Sequence, residues 1–136
     1  MGSQPDEGVE TLRDAAREDL ATARRSLGMQ PLLPRSAAFH AQQAVEKLMK
    51  AALLAAGEDY PLIHNLGILN ERLAAVDLPE IDRAEADFLT PYAGLPRYGT
   101  GPTEVVAKRA LELAEKICAR LEEIIDEALA KDGPEG

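Results

Sequence analysis

The run from Phe39 to Ala51 (FHAQQAVEKLMKA) puts apolar residues at a helical period over too wide an arc for a helix lying on a surface. At about 100° per residue, Ala37, Ala41, Ala44, Val45, Leu48, Met49, Ala52 and Leu53 fill one half of the circumference. His40, Gln43, Glu46, Lys47 and Lys50 occupy the rest. A helix with that much apolar surface belongs at the centre of a bundle or in a subunit interface.

The remainder of the chain agrees with an all-α fold. Ala, Leu, Glu and Arg dominate, and Ile, Val and Thr never alternate over the length of a strand. Hydrophobic residues make up 46% but aromatics only 4%, so the core must be aliphatic. With 136 residues the chain is long enough for one domain with its own core. Helical periodicity predicts helices over about 9–27, 36–56, 65–76, 80–92 and 103–131, with tails at 1–8 and 132–136. Gly28 and Gly57 stop the first two, Ser36 and Asn65 are expected caps, and Pro79 and Pro91 bracket the fourth. The expected architecture is an antiparallel up-and-down bundle of four to five helices.

Charge and cysteine usage narrow the functional classes. Three acidic residues in 1–10 and a net −5 in 122–136 account for all but one unit of the −9 total. That balance argues against nonspecific binding to DNA or to a membrane surface, while leaving room for a local cationic pocket in the near-neutral centre. The lone Cys118 falls in the apolar rhythm of the last helix, which suits a reducing, cytoplasmic setting. Two histidines and one cysteine at distant positions offer no metal-ligand spacing, and no phosphate-loop or nucleophile-elbow pattern is present. No metal or cofactor is expected.

If successive helices alternate in direction, the 57–64 and 93–102 connections share one end, and 28–35 and 77–79 the other. That would bring His64 and Asn65 near Arg97 and Tyr98. His64 offers a group titrating near neutrality, Arg97 a planar fork for phosphate, and Tyr98 a surface on which a base stacks. The same residues could instead cap a helix, pair with a carboxylate and close the bundle. For Gln43, Glu46, Lys47 and Lys50 two readings compete: a solvated face with an internal Glu46–Lys50 pair, or Lys47 and Lys50 serving the His64 end.

Three segments in order resemble the HEPN family. Phe39 to Ala51 follows its Phe-x-x-Gln-Gln-Ala-x-Glu-Lys-x-x-Lys-Ala run; His64-Asn65-Leu66 resembles its His-Asp-Leu element; Arg97-Tyr98-Gly99 resembles its Arg-Tyr-Pro element. The resemblance covers roughly residues 12–125. It implies a helical bundle that dimerises, and for small prokaryotic members a nucleotidyltransferase partner in toxin–antitoxin or stress-type pairs. Nuclease members carry Arg and then, after four to six residues, His at the last helix. Here those positions after Arg97 hold Pro102, Thr103 and Glu104. The letters do recur in Arg35 to His40, but at the start of the second helix.

Three functions are therefore in competition. The first is a homodimeric module that binds a nucleotide and a nucleotidyltransferase, with His64, Asn65, Arg97, Tyr98, Lys47 and Lys50 as candidate phosphate-binding residues. The second is a metal-independent ribonuclease with His64 as base and Arg97 as phosphate clamp. The third is a non-catalytic helical adaptor.

Overall fold

The computed structural model describes residues 5–94 and 101–131. They form five α-helices, α1 (Pro5–Gly28), α2 (Pro34–Ala55), α3 (Leu66–Ala75), α4 (Arg83–Leu89) and α5 (Glu104–Lys131), with a 3₁₀ turn at Thr90–Ala93. The all-α bundle is as expected, and none of the described helices is long and apolar enough to cross a membrane.

α2 is the centre of the bundle. It packs against α1, α3, α4, the 3₁₀ turn and α5. Its buried residues run right round the wheel: Ala37, Ala41, Val45, Leu48, Met49 and Leu53 on the apolar half, Gln42, Glu46 and Lys50 on the other. Alanines at the interfaces (Ala16 of α1, Ala38, Ala41 and Ala44 of α2, Ala110 and Ala114 of α5) are all within 1% of full burial. Small side chains let these backbones approach closely, and Gly8 carries this furthest: a Cβ there would lie 2.7 Å from Leu54 Cδ2.

α1 and α2 are antiparallel, and α5 runs antiparallel to α1, as the ion pairs Arg13–Asp126 and Arg24–Glu115 require. Arg13 is the main clamp of this seam, its Nε donating to Glu122 at 2.8 Å and its Nη2 to Asp126 at 2.9 Å. Burial works against its charge, but the hydrogen bonds and charges of Asp126 and Glu122 outweigh it and push the guanidinium pKa up.

The helix boundaries shift for local reasons. α1 starts at Pro5, earlier than position 9, because proline suits a first helical position. α2 likewise starts at Pro34, so Leu33 is its N-cap, without a side-chain bond. Ser36 therefore does not cap α2; its Oγ accepts instead from Ser26 Oγ at 2.9 Å. Pro79 does not open α4. Buried Asn70 holds the chain extended there, accepting from Ile81 N at 2.8 Å and donating to Ile81 O at 2.9 Å. Asp82 then caps α4 by accepting from Glu85 N at 3.0 Å.

The connections do not fall at the expected ends. Val76 to Pro79 lie beside Ala56, Ile124 and Ala128, at the C-terminal end of α2, not with the 28–33 connection. Gly101 and Pro102 lie beside Pro34 and Arg35, at the opposite end. The cause is the segment 56–65. After Gly57, at φ +85°, it runs back along α2 in extended form rather than turning at once into α3.

Candidate functional site

The return segment is pinned by the polar side of α2. Gln42, Glu46 and Lys50 recur every four residues and so share one face of the helix. Gln42 Nε2 donates to the backbone carbonyl of His64 at 3.1 Å and to Glu46 Oε1 at 3.1 Å. Gln43 Nε2 donates to Gln42 Oε1 at 2.8 Å. Lys50 Nζ donates to Glu46 Oε2 at 2.9 Å and lies 5.5 Å from the centre of the Tyr60 ring.

His64 completes the cluster. Its Nδ1 lies 3.1 Å from Glu46 Oε1 and 3.0 Å from Oε2. Its side chain is 68% exposed, whereas that of Glu46 is only 4% exposed. Burial pushes the Glu46 carboxyl pKa up, but hydrogen bonds from Lys50, His64 and Gln42 outweigh that and leave it below its ordinary value. An ionised carboxylate only accepts, so Nδ1 is the protonated ring nitrogen and Nε2 is left to solvent. A neutral imidazole held this way presents an outward acceptor; a protonated one presents an outward donor.

The neighbours of His64 hold the chain rather than add chemistry. Asn65 caps α3, accepting from Ile68 N at 3.1 Å, as the sequence predicts. Leu66 N donates to Thr90 Oγ1 at 3.1 Å and so ties the start of α3 to the 3₁₀ turn.

The two candidate lysines part company. Lys50 joins His64 through Glu46. Lys47 turns to α1, donating to Asp19 Oδ2 at 2.6 Å, while His40 Nδ1 lies 2.7 Å from Asp19 Oδ1. The Asp19 side chain is 9% exposed and those of His40 and Lys47 about 30%. This polar face of α2 is thus not solvated. It is two carboxylate-centred clusters, each with one lysine and one histidine. Sequence reasoning missed Glu46 as a hub, and the Gln42–Glu46–Lys50 spacing was its available signal. Asp19 gives no such signal, because its partners lie 21 and 28 residues away.

Arg97 and Tyr98 lie outside the described residues. Among the described residues, no group of three or more His, Cys, Asp or Glu could hold a metal ion.

Comparison with known proteins places this arrangement. The HEPN domain family matches residues 9–124. The crystal structure of TT1696 from Thermus thermophilus is similar at 30% identity and a TM-score of 0.69, over 85% of this chain and 97% of that one. ST0689, an archaeal HEPN homologue, superposes with a TM-score of 0.68 at 24% identity, over 86% of this chain and 97% of the other, a likeness of fold. No curated protein matches. On the family match and on the extent of its likeness to TT1696, the chain belongs to the HEPN family.

Proposed function

We propose that this HEPN module is homodimeric and binds nucleotide phosphate at His64, acting with a nucleotidyltransferase in a toxin–antitoxin or stress-type pair. The observation that carries the nucleotide half is the contrast within one ion cluster: an exposed imidazole fixed by a buried, ionised carboxylate that a lysine also holds. Such a ring keeps one orientation while its outer nitrogen faces the medium, as a recognition group for phosphate should. Arg97 and Tyr98 are the proposed partners for phosphate and base. The pairing with a nucleotidyltransferase, and the dimer, are drawn from the character of the family.

The test is titration with ATP followed by histidine NMR, in which His40 and His64 supply the only two side-chain signals. A saturable shift of His64, lost in Arg97→Ala, is the expected result. No His64 shift at millimolar ATP removes the nucleotide half. Sedimentation at micromolar concentration tests the dimer, and a purely monomeric boundary removes that half.

A second reading is metal-independent cleavage of RNA, favoured by the same hydrogen bond. With Nδ1 committed to Glu46, Nε2 of neutral His64 is the lone pair able to take a proton from a ribose 2′-hydroxyl. The product would be a 2′,3′-cyclic phosphate. RNA left intact after prolonged incubation with metal-free protein excludes it.

A further inference from the structure

A groove of about 590 Å³ lies at the N-terminal end of α2, within the range of small-molecule sites. Leu33, Pro34, Phe39 and Pro102 give it apolar walls. The charged groups around it are already committed. Arg35, its stem packed against Gly101, is engaged with a partner of its own. Glu104, at the start of α5, is paired with Lys108 at 2.8 Å, and the first turn of α2 holds no acidic residue. Asp19, its side chain 9% exposed, takes Lys47 Nζ on one oxygen at 2.6 Å and His40 Nδ1 on the other at 2.7 Å. An ion that left water to enter this groove would find no counter-charge waiting for it.

His40 supplies the polar feature that a ligand can use. Lys47 balances the Asp19 charge, so a neutral imidazole suffices beside it. The carboxylate only accepts, and Nδ1 therefore carries the ring proton. Nε2 keeps its lone pair and has no partner among the described residues. The ring is fixed on two sides, by Asp19 and by the edge-on Phe39 ring, whose centroid is 5.1 Å away. A fixed acceptor beside apolar walls selects a flat apolar body with one hydrogen-bond donor and no charge. A phenolic hydroxyl, more acidic than an aliphatic one, is a strong neutral donor on such a body. We propose that this groove binds a neutral phenol, its hydroxyl donating to His40 Nε2 and its ring lying against Leu33, Phe39 and Pro102. The site is separate from His64, whose anchor is Glu46 rather than Asp19.

The probes are 2-naphthol, its methyl ether and 2-naphthyl phosphate, each added to the full chain at about pH 8, where an ordinary imidazole is neutral. Their own fluorescence reports affinity, since the chain has no tryptophan, and NMR of its two histidines reports position. The expected result is a saturable shift of His40 by 2-naphthol with His64 left in place. The methyl ether keeps the rings but lacks the donor, and should bind about tenfold more weakly. The phosphate should bind no better than the ether. In His40→Ala, which leaves the Asp19–Lys47 pair intact, 2-naphthol should fall to the affinity of the ether. Leu33→Asp tests the apolar wall in a variant that folds, because Asp is a favoured N-cap residue and Leu33 is the bare N-cap of α2. Its Tm should hold or rise while 2-naphthol binds at least about tenfold more weakly. A His40 signal unmoved through millimolar 2-naphthol overturns the proposal. So does an ether that binds as tightly, a phosphate that binds more tightly, or undiminished binding in either variant.

Discussion

His64 Nδ1 lies 3.0 Å from Glu46 Oε2, joining a side chain that is 68% exposed to one that is 4% exposed. This contact orients the outer ring, and together with the bonds from Lys50 and Gln42 it holds the inner charge. Without Glu46 the buried Lys50 ammonium would lose its partner, the His64 ring its orientation, and Gln42 one of its acceptors. The cost is that of a broken interior ion pair, softened by the exposure of His64.

Glu46→Gln should therefore destabilise the fold by about 2 kcal/mol or more at pH 7, read from urea unfolding. The pH dependence has a definite sign. Folding lowers the Glu46 pKa below its ordinary 4.5, so the unfolded chain binds the proton more tightly. Its stabilisation is complete above about pH 4.5 and is lost as pH falls through the lower folded value. The acid limb of the stability curve should be shallower in Glu46→Gln than in the parent. Parallel acid limbs would show that Glu46 is not the group responsible.

Asn70 should be the least replaceable polar residue of α3. It is 2% exposed, and its side chain satisfies both the N–H and the C=O of Ile81, standing in for a strand partner. Asn70→Leu keeps the number and branching of side-chain heavy atoms and strands both backbone groups. Each costs about 1–3 kcal/mol when buried unpaired, so the variant should lose at least about 2 kcal/mol in denaturant unfolding. Faster amide exchange at Ile81 should accompany the loss.

What was legible in the sequence and what was not divides by range. The half-apolar wheel of α2 predicted its central place, because a helix period reports burial directly. The Asn65 cap was legible because cap and acceptor lie three residues apart. The extended path of 58–65 was not, since it depends on Gln42 and Glu46 reaching across 22 and 18 residues. The 77–79 connection was misplaced for the same reason: its position follows from that return path. Ser36 suits a cap by its residue type alone, but Pro34 at the first helical position puts the cap at Leu33. The candidate site was half legible, with His64 and Lys50 brought together, Lys47 drawn elsewhere, and the buried carboxylates that organise both clusters unseen.

Two leucines measure the central role of α2. Leu48 is 1% exposed, and Leu62, in the return segment beside the His64 cluster, is 90% exposed. Leu48→Ala should cost about 2–5 kcal/mol by loss of contacts and the cavity left behind. Leu62→Ala should stay within about 0.5 kcal/mol, as surface substitutions do. A large loss at Leu62 in a concentration-dependent unfolding curve would mark it as covered by another chain.

Cys118 should be silent until the bundle opens. It lies 3% exposed on α5, and burial, with the nearby Glu122 charge adding to it, pushes its thiol up to about 12. At pH 8 only about one molecule in ten thousand then carries the thiolate, the form that attacks a disulfide reagent. Reaction of the native protein with an aromatic disulfide should run at least about a hundredfold slower than in guanidinium, where the thiol returns to its ordinary range. Because access requires α5 to separate from α1 and α2, variants that loosen that seam should speed the reaction. Arg13→Ala, which removes the clamp on Glu122 and Asp126, should do so more than Lys108→Ala on the exposed side. Complete labelling of the native protein within minutes would contradict the burial of Cys118 and the closure of the seam around it.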